Sequence, residues 1–279
     1  MTSTLSPKTK SVTPFGSATE IEKAPGHWVL ARLGKRVLRP GGIELTRKML
    51  DALAIAPSDD VIEFAPGLGV TAELTLQRKP ASYVGVERDE RAARMVQRAL
   101  SGANQRCVIG KAQETGLPDE SASVIYGEAM LTMQSATAKE RIVNEAARLL
   151  RPGGRYGIHE LALVPDDLDS TVATEVSGVL GRAIHHLVQP LTVIGWRNLL
   201  ETQGLTVSVT LTAPMHLLEP ARILRDEGLA GTLRFMANLM RDRAARSRVR
   251  ELRRVFRAHR DHLAAVTIVA VKRDGFGNA

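Results

Sequence analysis

The chain has 279 residues, 44% hydrophobic and 24% charged, which is enough apolar material for a domain with a sizeable core. Its single cysteine, Cys107, excludes an intramolecular disulfide and a cysteine-rich zinc site and suits a reducing cytoplasm. No apolar run approaches the roughly 20 residues that span a bilayer, and residues 1–10 lack the apolar core of a signal peptide. We therefore expect a cytoplasmic protein without a membrane span.

The N-terminal part of the chain precedes the regular pattern of strands and helices. Residues 1–20 are rich in Ser, Thr and Pro and predict a mobile tail. Residues 21–56 predict a helical segment that breaks at Pro40-Gly41-Gly42. Arg39, just before this break, is interpreted as a cation at a helix C-terminus, with pairing to a bound carboxylate as the alternative.

From residue 57 onward, strands alternate with helices. Short apolar runs predict five strands, at residues 60–64, 82–87, 107–109, 123–126 and 155–159. Helical patterns separate them, which predicts βαβ units and a doubly wound α/β fold with a parallel sheet covered on both faces. We divide the rest of the chain into a core at 57–213, a helical cap or lid insertion at 214–262, and a final strand and tail at 263–279.

A glycine-rich turn joins the first strand to the next helix, in the run Glu63-Phe64-Ala65-Pro66-Gly67-Leu68-Gly69. Such a turn lets a ligand approach the backbone closely, beside a helix N-terminus. Glu87 ends the second strand, 18 residues after Gly69, where a carboxylate can accept two hydrogen bonds from a ribose diol. Residues 67–72 also satisfy the dinucleotide fingerprint, so a nicotinamide cofactor and a turn without any ligand remain alternatives.

Residues 60–160 resemble the class I S-adenosylmethionine-dependent methyltransferase family, in particular its small-molecule and quinone branch. The turn from Glu63 to Gly69 matches the family's acid-x-Gly-x-Gly-x-Gly loop, and Glu87 matches its ribose-binding acid. Leu117-Pro118-Asp119 and the more specific run at residues 149–154, Leu-Leu-Arg-Pro-Gly-Gly, match the approaches to strands four and five. The resemblance implies a Rossmann-like sheet of seven strands with helical cap insertions. It also implies methyl transfer from S-adenosyl-L-methionine to a small organic acceptor at oxygen or carbon.

The resemblance also implies which residues bind the donor. An acid at Glu63 helps to hold the donor's α-ammonium group. Ala65 replaces the family's first glycine, which predicts a negative φ there. Lys111 stands where the family often has Asp or Asn beside the adenine, so Gln113 or the backbone of Ala112 would substitute. The full predicted set is Glu63, Ala65, Pro66, Gly67, Gly69, Glu87, Arg88, Lys111, Ala112, Gln113 and Glu128.

Two residues at the carboxyl ends of later strands are candidate catalytic groups. Glu128 follows the fourth strand and His159 ends the fifth, so both are expected beside the ligand crevice. A histidine there can take a proton from an acceptor near neutral pH. The alternatives are a solvated loop acid and a histidine bonded within the sheet. No metal site is expected, because His185 and His186 would diverge by about 100° on a helix.

An arginine-rich stretch at residues 241–260 supplies much of the net charge of +8. Apolar residues at helical spacing, namely Leu233, Met236, Met240, Val249, Leu252 and Phe256, predict a lid helix with a solvated arginine face. Contact with nucleic acid or an anionic membrane is the alternative.

An RNA methyltransferase is disfavoured because Gly127-Glu128-Ala129-Met130 is not an Asn/Asp-Pro-Pro-aromatic loop. A nicotinamide-dependent oxidoreductase is disfavoured because no Tyr-x-x-x-Lys pair follows strand four.

Overall fold

The computed structural model describes residues 24–273, so the predicted mobile tail at 1–20 lies outside the described residues. Within residues 24–273 there are eight strands and nine α-helices. The strands are β1 (Asp60–Phe64), β2 (Ser82–Glu87), β3 (Gln105–Ile109), β4 (Ala122–Glu128), β5 (Leu150–Leu163), β6 (Leu191–Thr192), β7 (Leu205–Pro214) and β8 (Leu263–Lys272). The helices are α1 (Gly26–Arg32), α2 (Gly42–Ala52), α3 (Val70–Leu76), α4 (Glu90–Ala99), α5 (Ala136–Leu149), α6 (Ser170–Ile184), α7 (Val193–Glu201), α8 (Pro220–Arg241) and α9 (Arg243–Ala258).

All the strands belong to one mixed sheet, which confirms the predicted α/β fold class. The order across the sheet is β3-β2-β1-β4-β5-β8-β7, and the two-residue β6 pairs with β5. Strands β1 to β5 are parallel, whereas β8 is antiparallel to both of its neighbours, β5 and β7. The chain reverses its direction of travel across the sheet between β1 and β4. A crevice opens at such a point, at the carboxyl ends of the strands.

Local sequence fixes where the helices beside this crevice begin. Gly69 precedes α3 with a φ of 75°, which a side chain would oppose. The Asp89 side chain accepts hydrogen bonds from the backbone N–H groups of Arg91 and Ala92, at 2.8 and 2.9 Å, and so caps α4. On the other side of the sheet, the buried Trp196 of α7 donates from its indole N–H to the Leu161 carbonyl at 3.0 Å. Gly69 and Asp89 thus determine where the loops that follow β1 and β2 end and the next helices begin.

The helices outside the sheet form a second apolar core over the carboxyl end of β5. Leu161 and Leu163 of β5 pack there with residues of α1, α6 and α9. Helices α8 and α9 lie between β7 and β8 in the chain and form the cap. No helix within residues 24–273 is both long and apolar enough to cross a membrane.

The predicted apolar stripe of the cap is only partly correct. Val249, Leu252 and Phe256 of α9 are buried, but Leu233 and Met240 of α8 are 61% and 72% exposed. Gly228, at φ 67°, interrupts α8, and beyond it the side that packs inward carries Gly231 and Phe235.

The expected arginine face also needs correction. Arg248 is buried and donates to the Ala183 carbonyl at 2.9 Å, and Arg253 is half-buried and bonded to Glu219. The solvated arginines are therefore a smaller set than the sequence suggested.

Two buried acids of α8 bind the loop between α1 and α2. The ammonium group of Lys35 lies 3.4 Å from Asp226 and 3.5 Å from Glu227, and all three side chains are at most 2% exposed. Asp226 also accepts a hydrogen bond from the Ile43 N–H, and Glu227 from the N–H groups of Arg36 and Val37. The cap therefore determines the path of residues 33–43.

Replacing Lys35 tests this attachment. We expect Lys35→Met to lower the free energy of unfolding by about 3 kcal/mol, because it removes the buried cation shared by two carboxylates and leaves only Arg222, 3.8 Å from Asp226. The matched control is Arg94→Met, which breaks the exposed pair with Glu90 and should cost less than about 1 kcal/mol. Urea denaturation of both variants measures the difference, and equal losses would contradict a buried ion pair at Lys35.

Candidate active site

A cavity of about 630 Å³ lies at the carboxyl ends of β1, β2 and β4. Ten of the eleven predicted donor-binding residues line it, and Gly69 alone of that set does not. Gly69 instead provides the positive φ at which α3 begins. The structure therefore brings the predicted residues together at one place, although they come from four separate parts of the chain.

The glycine-rich turn forms one wall of the cavity. Ala65 has a φ of 53°, so the predicted negative φ is wrong. The chain leaves the sheet at this point, with the Ala65 N–H donating to the Val86 carbonyl at 2.8 Å, and Ala65 takes the conformation usual for glycine. A Cβ costs about 1–2 kcal/mol in that region. Gly67 has a φ of 55° and nothing closer than 3.9 Å to the position of an added Cβ, which leaves its backbone open to a ligand.

Glu87 connects this turn to the end of β2. One carboxylate oxygen accepts a hydrogen bond from the Gly67 N–H at 3.1 Å, and the other accepts one from the Asp89 N–H at 3.0 Å. A carboxylate has about four acceptor positions, so two remain for a ligand in the cavity. The side chain is buried against the turn and still lines the cavity.

Glu63 lies under the turn, between two tyrosines. The hydroxyls of Tyr83 and Tyr126 both donate to its Oε2, at 2.5 and 2.9 Å. Within residues 24–273 no hydrogen-bond donor reaches Oε1. Burial raises the pKa of Glu63 to about 7, and the two tyrosine hydrogen bonds only partly offset that effect. Glu63 is thus a buried acid with one unused oxygen that titrates near neutral pH.

Glu128, at the end of β4, is the centre of a buried network. Its Oε2 accepts hydrogen bonds from Arg39 and Thr71, and its Oε1 lies 2.6 Å from the Thr46 hydroxyl and 2.7 Å from His159 Nδ1. Burial raises the pKa of Glu128, but Arg39 and His159 outweigh it and hold the pKa at about 2. The side chain is 6% exposed, so the alternative of a solvated loop acid is wrong.

His159 is fully buried and does not line the cavity. Its Nδ1 faces Glu128, and its Nε2 lies 2.5 Å from the Pro40 carbonyl oxygen. A carbonyl can only accept, so Nε2 carries a proton. Both ring nitrogens are therefore hydrogen-bonded within the protein, as the alternative of a histidine bonded within the sheet anticipates. Neither nitrogen faces the cavity in which a methyl acceptor would bind.

Arg39 lies in the loop between α1 and α2, so its interpretation as a helix C-terminal cation is wrong. Its guanidinium lines the cavity and pairs with Glu128, and its Nε is buried without a hydrogen-bond partner among the described residues. Arg39 thus retains a donor for a ligand.

Sequence patterns missed several partners in the site. Thr46 and Tyr83 belong to no motif, and Thr71 occupies a position of the glycine-rich fingerprint that any residue may fill, so only the fold brings the three to the acids. Tyr126 was detectable in principle, because it pairs with Glu63 in the register of β1 and β4.

The far side of the cavity has a different character. Its wall is mostly apolar and includes Leu38, Met130, Leu161, Ile184, Val188, Met215, Leu217, Leu252 and Phe256. Glu160 fixes the adjoining rim, since its carboxylate accepts hydrogen bonds from the N–H groups of Met130, Leu131 and Thr132 at 2.8–3.0 Å. His27 also lines this part, and its Nδ1 is buried without a hydrogen-bond partner in the part of the chain that is described. Burial first, and then His186 and Arg88, lowers the pKa of His27 to about 4.

Comparison with known proteins identifies the family. A family model described as a methyltransferase domain matches residues 62–158, which contain the turn, Glu87 and Glu128. The chain belongs to the class I S-adenosylmethionine-dependent methyltransferases. It is 32% identical, over 250 residues, to an uncharacterized protein of Haemophilus influenzae, covering 88% of this chain and 96% of that protein.

Solved structures agree on the fold of this methyltransferase. The cyclopropane synthase MmaA2 from Mycobacterium tuberculosis is similar with a TM-score of 0.66 and 13% identity, covering 94% of this chain and all of that one. A geranyl diphosphate methyltransferase in complex with SAM is similar with a TM-score of 0.59 and 14% identity, covering 81% of this chain and 84% of that one.

The protonation of His159 can be checked directly. We expect nitrogen NMR of the methyltransferase to show His159 Nε2 protonated in the folded state, because its partner is the Pro40 carbonyl. The His159→Gln variant assigns the signal by its disappearance, and His259, outside the cavity, is the matched control substitution. A folded protein with an unprotonated Nε2 on His159 would contradict the network.

Proposed function

We propose that the protein transfers a methyl group from S-adenosylmethionine to a small, largely apolar organic acceptor, at oxygen or carbon. One observation carries this proposal. A single cavity has buried acids, an arginine and the glycine-rich turn at one end and an apolar wall from the cap at the other. Bound S-adenosylmethionine supplies a methyl group on a sulfonium centre, open to in-line attack by an electron pair of the acceptor.

The polar end suits the separate parts of the donor. Glu87 has two free acceptor positions for the ribose hydroxyls, and Glu63 Oε1 is unused and can pair with the α-ammonium group. The buried Nε of Arg39 can donate to the α-carboxylate. Lys111 and Gln113 line the cavity beyond β3, where the adenine is expected.

We assign positioning roles to Glu128 and His159 in place of the catalytic roles expected from sequence. A carboxylate with a pKa of about 2 is a weak base, and all its bonds hold other protein groups. Glu128 orients Arg39 toward the donor, and His159 binds the Pro40 carbonyl next to it in the chain.

His27 is the group we propose for binding the polar part of the acceptor. This residue lines the cavity, and its buried Nδ1 has no hydrogen-bond partner among the described residues. With a pKa of about 4 the ring is neutral at neutral pH, so it accepts a hydrogen bond from an acceptor hydroxyl. The cap residues Leu252 and Phe256 exclude water from the same region.

The charge of the polar end disfavours a dinucleotide. Glu63 and Glu128 both line the cavity beside the turn, where the pyrophosphate of NAD would have to lie. A cationic donor is attracted by the same acids.

We retain the cytoplasm as the proposed location, supported by the free thiol of Cys107.

Glu87 provides the first test of donor binding. Glu87→Gln removes the charge on the predicted ribose partner, and one charge-assisted hydrogen bond contributes about 1.5–3 kcal/mol. We expect the dissociation constant for S-adenosylhomocysteine, measured by calorimetry, to rise by about tenfold to a hundredfold. Glu114→Gln, at an exposed position outside the cavity, is the matched control. An unchanged constant in a folded Glu87→Gln variant would remove Glu87 from the donor site.

The pH dependence of binding tests Glu63. Its pKa is raised to about 7, so the carboxyl is mostly protonated below pH 7 and cannot pair with an ammonium group until the pH rises. We expect S-adenosylhomocysteine to bind about tenfold more tightly at pH 8 than at pH 6. Glu63→Gln should abolish this dependence, whereas Glu114→Gln should preserve it. A slope that persists in Glu63→Gln would assign the titration to another group.

A further inference from the structure

The outer surface of α8 carries an apolar stripe that no other element within residues 24–273 covers. Leu229, Leu233, Met236 and Met240, the outer stripe, are 69%, 61%, 46% and 72% exposed. Their spacing of four, three and four residues places them on one face of the helix. The inward side at this level holds Gly231 and Phe235, so the stripe is not a displaced part of the core.

Helix α8 and the helix that follows it, α9, carry much of the positive charge of the protein. Residues 220–260 contain twelve arginines and four acids, a net charge that equals the +8 of the whole chain. Arg243, Arg250, Arg254 and Arg257 are exposed and recur at helical spacing along α9. Among residues 24–273 no carboxylate lies within 4 Å of Arg243, Arg250 or Arg254, so their charge is available to a partner. Arg257 is paired with Glu219.

We propose that the outer stripe and the arginines of α9 dock on an anionic lipid bilayer. An exposed apolar face on one helix, together with unpaired cations on the helix that follows it, is the composition of helices that lie in a membrane surface. The apolar side chains would enter the boundary between headgroups and acyl chains, and the arginines would bind lipid phosphates.

Charge and polarity favour a bilayer over the other partners. A nucleic acid offers phosphates to the arginines but nothing that would bury four exposed apolar side chains. A second copy of this chain could cover the stripe but would bring two regions of net charge +8 together, which is repulsive.

Helix α9 connects this surface to the cavity. Its outer face carries the arginines, and Leu252 and Phe256 of its inner face line the cavity. If the acceptor is apolar, as the proposed function holds, docking would bring the cavity close to a membrane-dissolved acceptor. The docking itself does not depend on that function.

Vesicle sedimentation with the full-length protein tests the proposal. We expect binding to vesicles of phosphatidylcholine mixed with phosphatidylglycerol, little binding to phosphatidylcholine alone, and weakening by salt. Arg250→Gln with Arg254→Gln should weaken binding to the mixed vesicles about thirtyfold, at about 1 kcal/mol for each arginine. Arg98→Gln with Arg106→Gln, two exposed arginines on α4 and β3, is the control with the same change of charge.

The apolar contribution has its own variant. Leu233→Ser with Met240→Ser should weaken binding to the mixed vesicles about tenfold and leave less of it at high salt. Ile194→Ser, which replaces a 53% exposed side chain on α7, is the matched control and should bind like the unaltered protein. Circular dichroism melts and S-adenosylhomocysteine calorimetry on each variant separate a loss of docking from a loss of fold or of donor binding.

Three results would overturn the proposal. One is equal binding to the two kinds of vesicle, or equal losses in the test and control variants. Another is salt-sensitive binding to an RNA oligonucleotide, lost in the Arg250 and Arg254 variant, without binding to the mixed vesicles. The third is a dimer in analytical ultracentrifugation that the stripe variant dissociates, again without vesicle binding.

Discussion

The buried carboxylate of Glu128 holds the N-terminal segment and α3 against the central strands of the sheet. It lies at the carboxyl end of β4 and binds Arg39 and Thr46 from the N-terminal segment, Thr71 from α3, and His159 from β5. Burying a carboxylate is costly unless it is fully bonded, and here every partner of Glu128 is a hydrogen-bond donor or a cation. The network therefore fixes the N-terminal segment against the sheet in one position, which is the position that closes the cavity.

The cap extends this constraint beyond the sheet. Asp226 and Glu227 of α8 bind the backbone of residues 36, 37 and 43, and the buried Lys35 pairs with both carboxylates. The loop that carries Arg39 is thus fixed at both ends, by Glu128 on the sheet side and by α8 on the cap side. A shift of the cap would move Arg39, so the donor end and the acceptor end of the cavity are mechanically connected through one short loop.

The sequence predicted the sheet well because its signals are local. Apolar runs, the glycine-rich turn and the acid that ends β2 each follow from a few neighbouring residues, and the structure brings Glu63, Gly67 and Glu87 to the same cavity. The role of His159 was not local, because it depends on the Pro40 carbonyl, which is distant in the chain. The outward face of α8 was also missed, since a helical apolar pattern does not show which side packs when Gly228 breaks the helix.

Two buried acids at one sheet edge have pKa values of about 7 and about 2, and the difference lies in their partners. Glu63 receives only neutral hydroxyls, which do not compensate for burial, whereas Glu128 receives a guanidinium and the N–H of His159 Nδ1. The negative charge of Glu128 also raises the pKa of Glu63, and Arg39, already paired with Glu128, offsets this only in part. Of these two acids, Glu63 is therefore the one that lacks a cation of its own, and a ligand with an ammonium group would supply one. The fold leaves the buried carboxylate of Glu63 without a positively charged partner, and the ammonium group of the proposed donor would be such a partner.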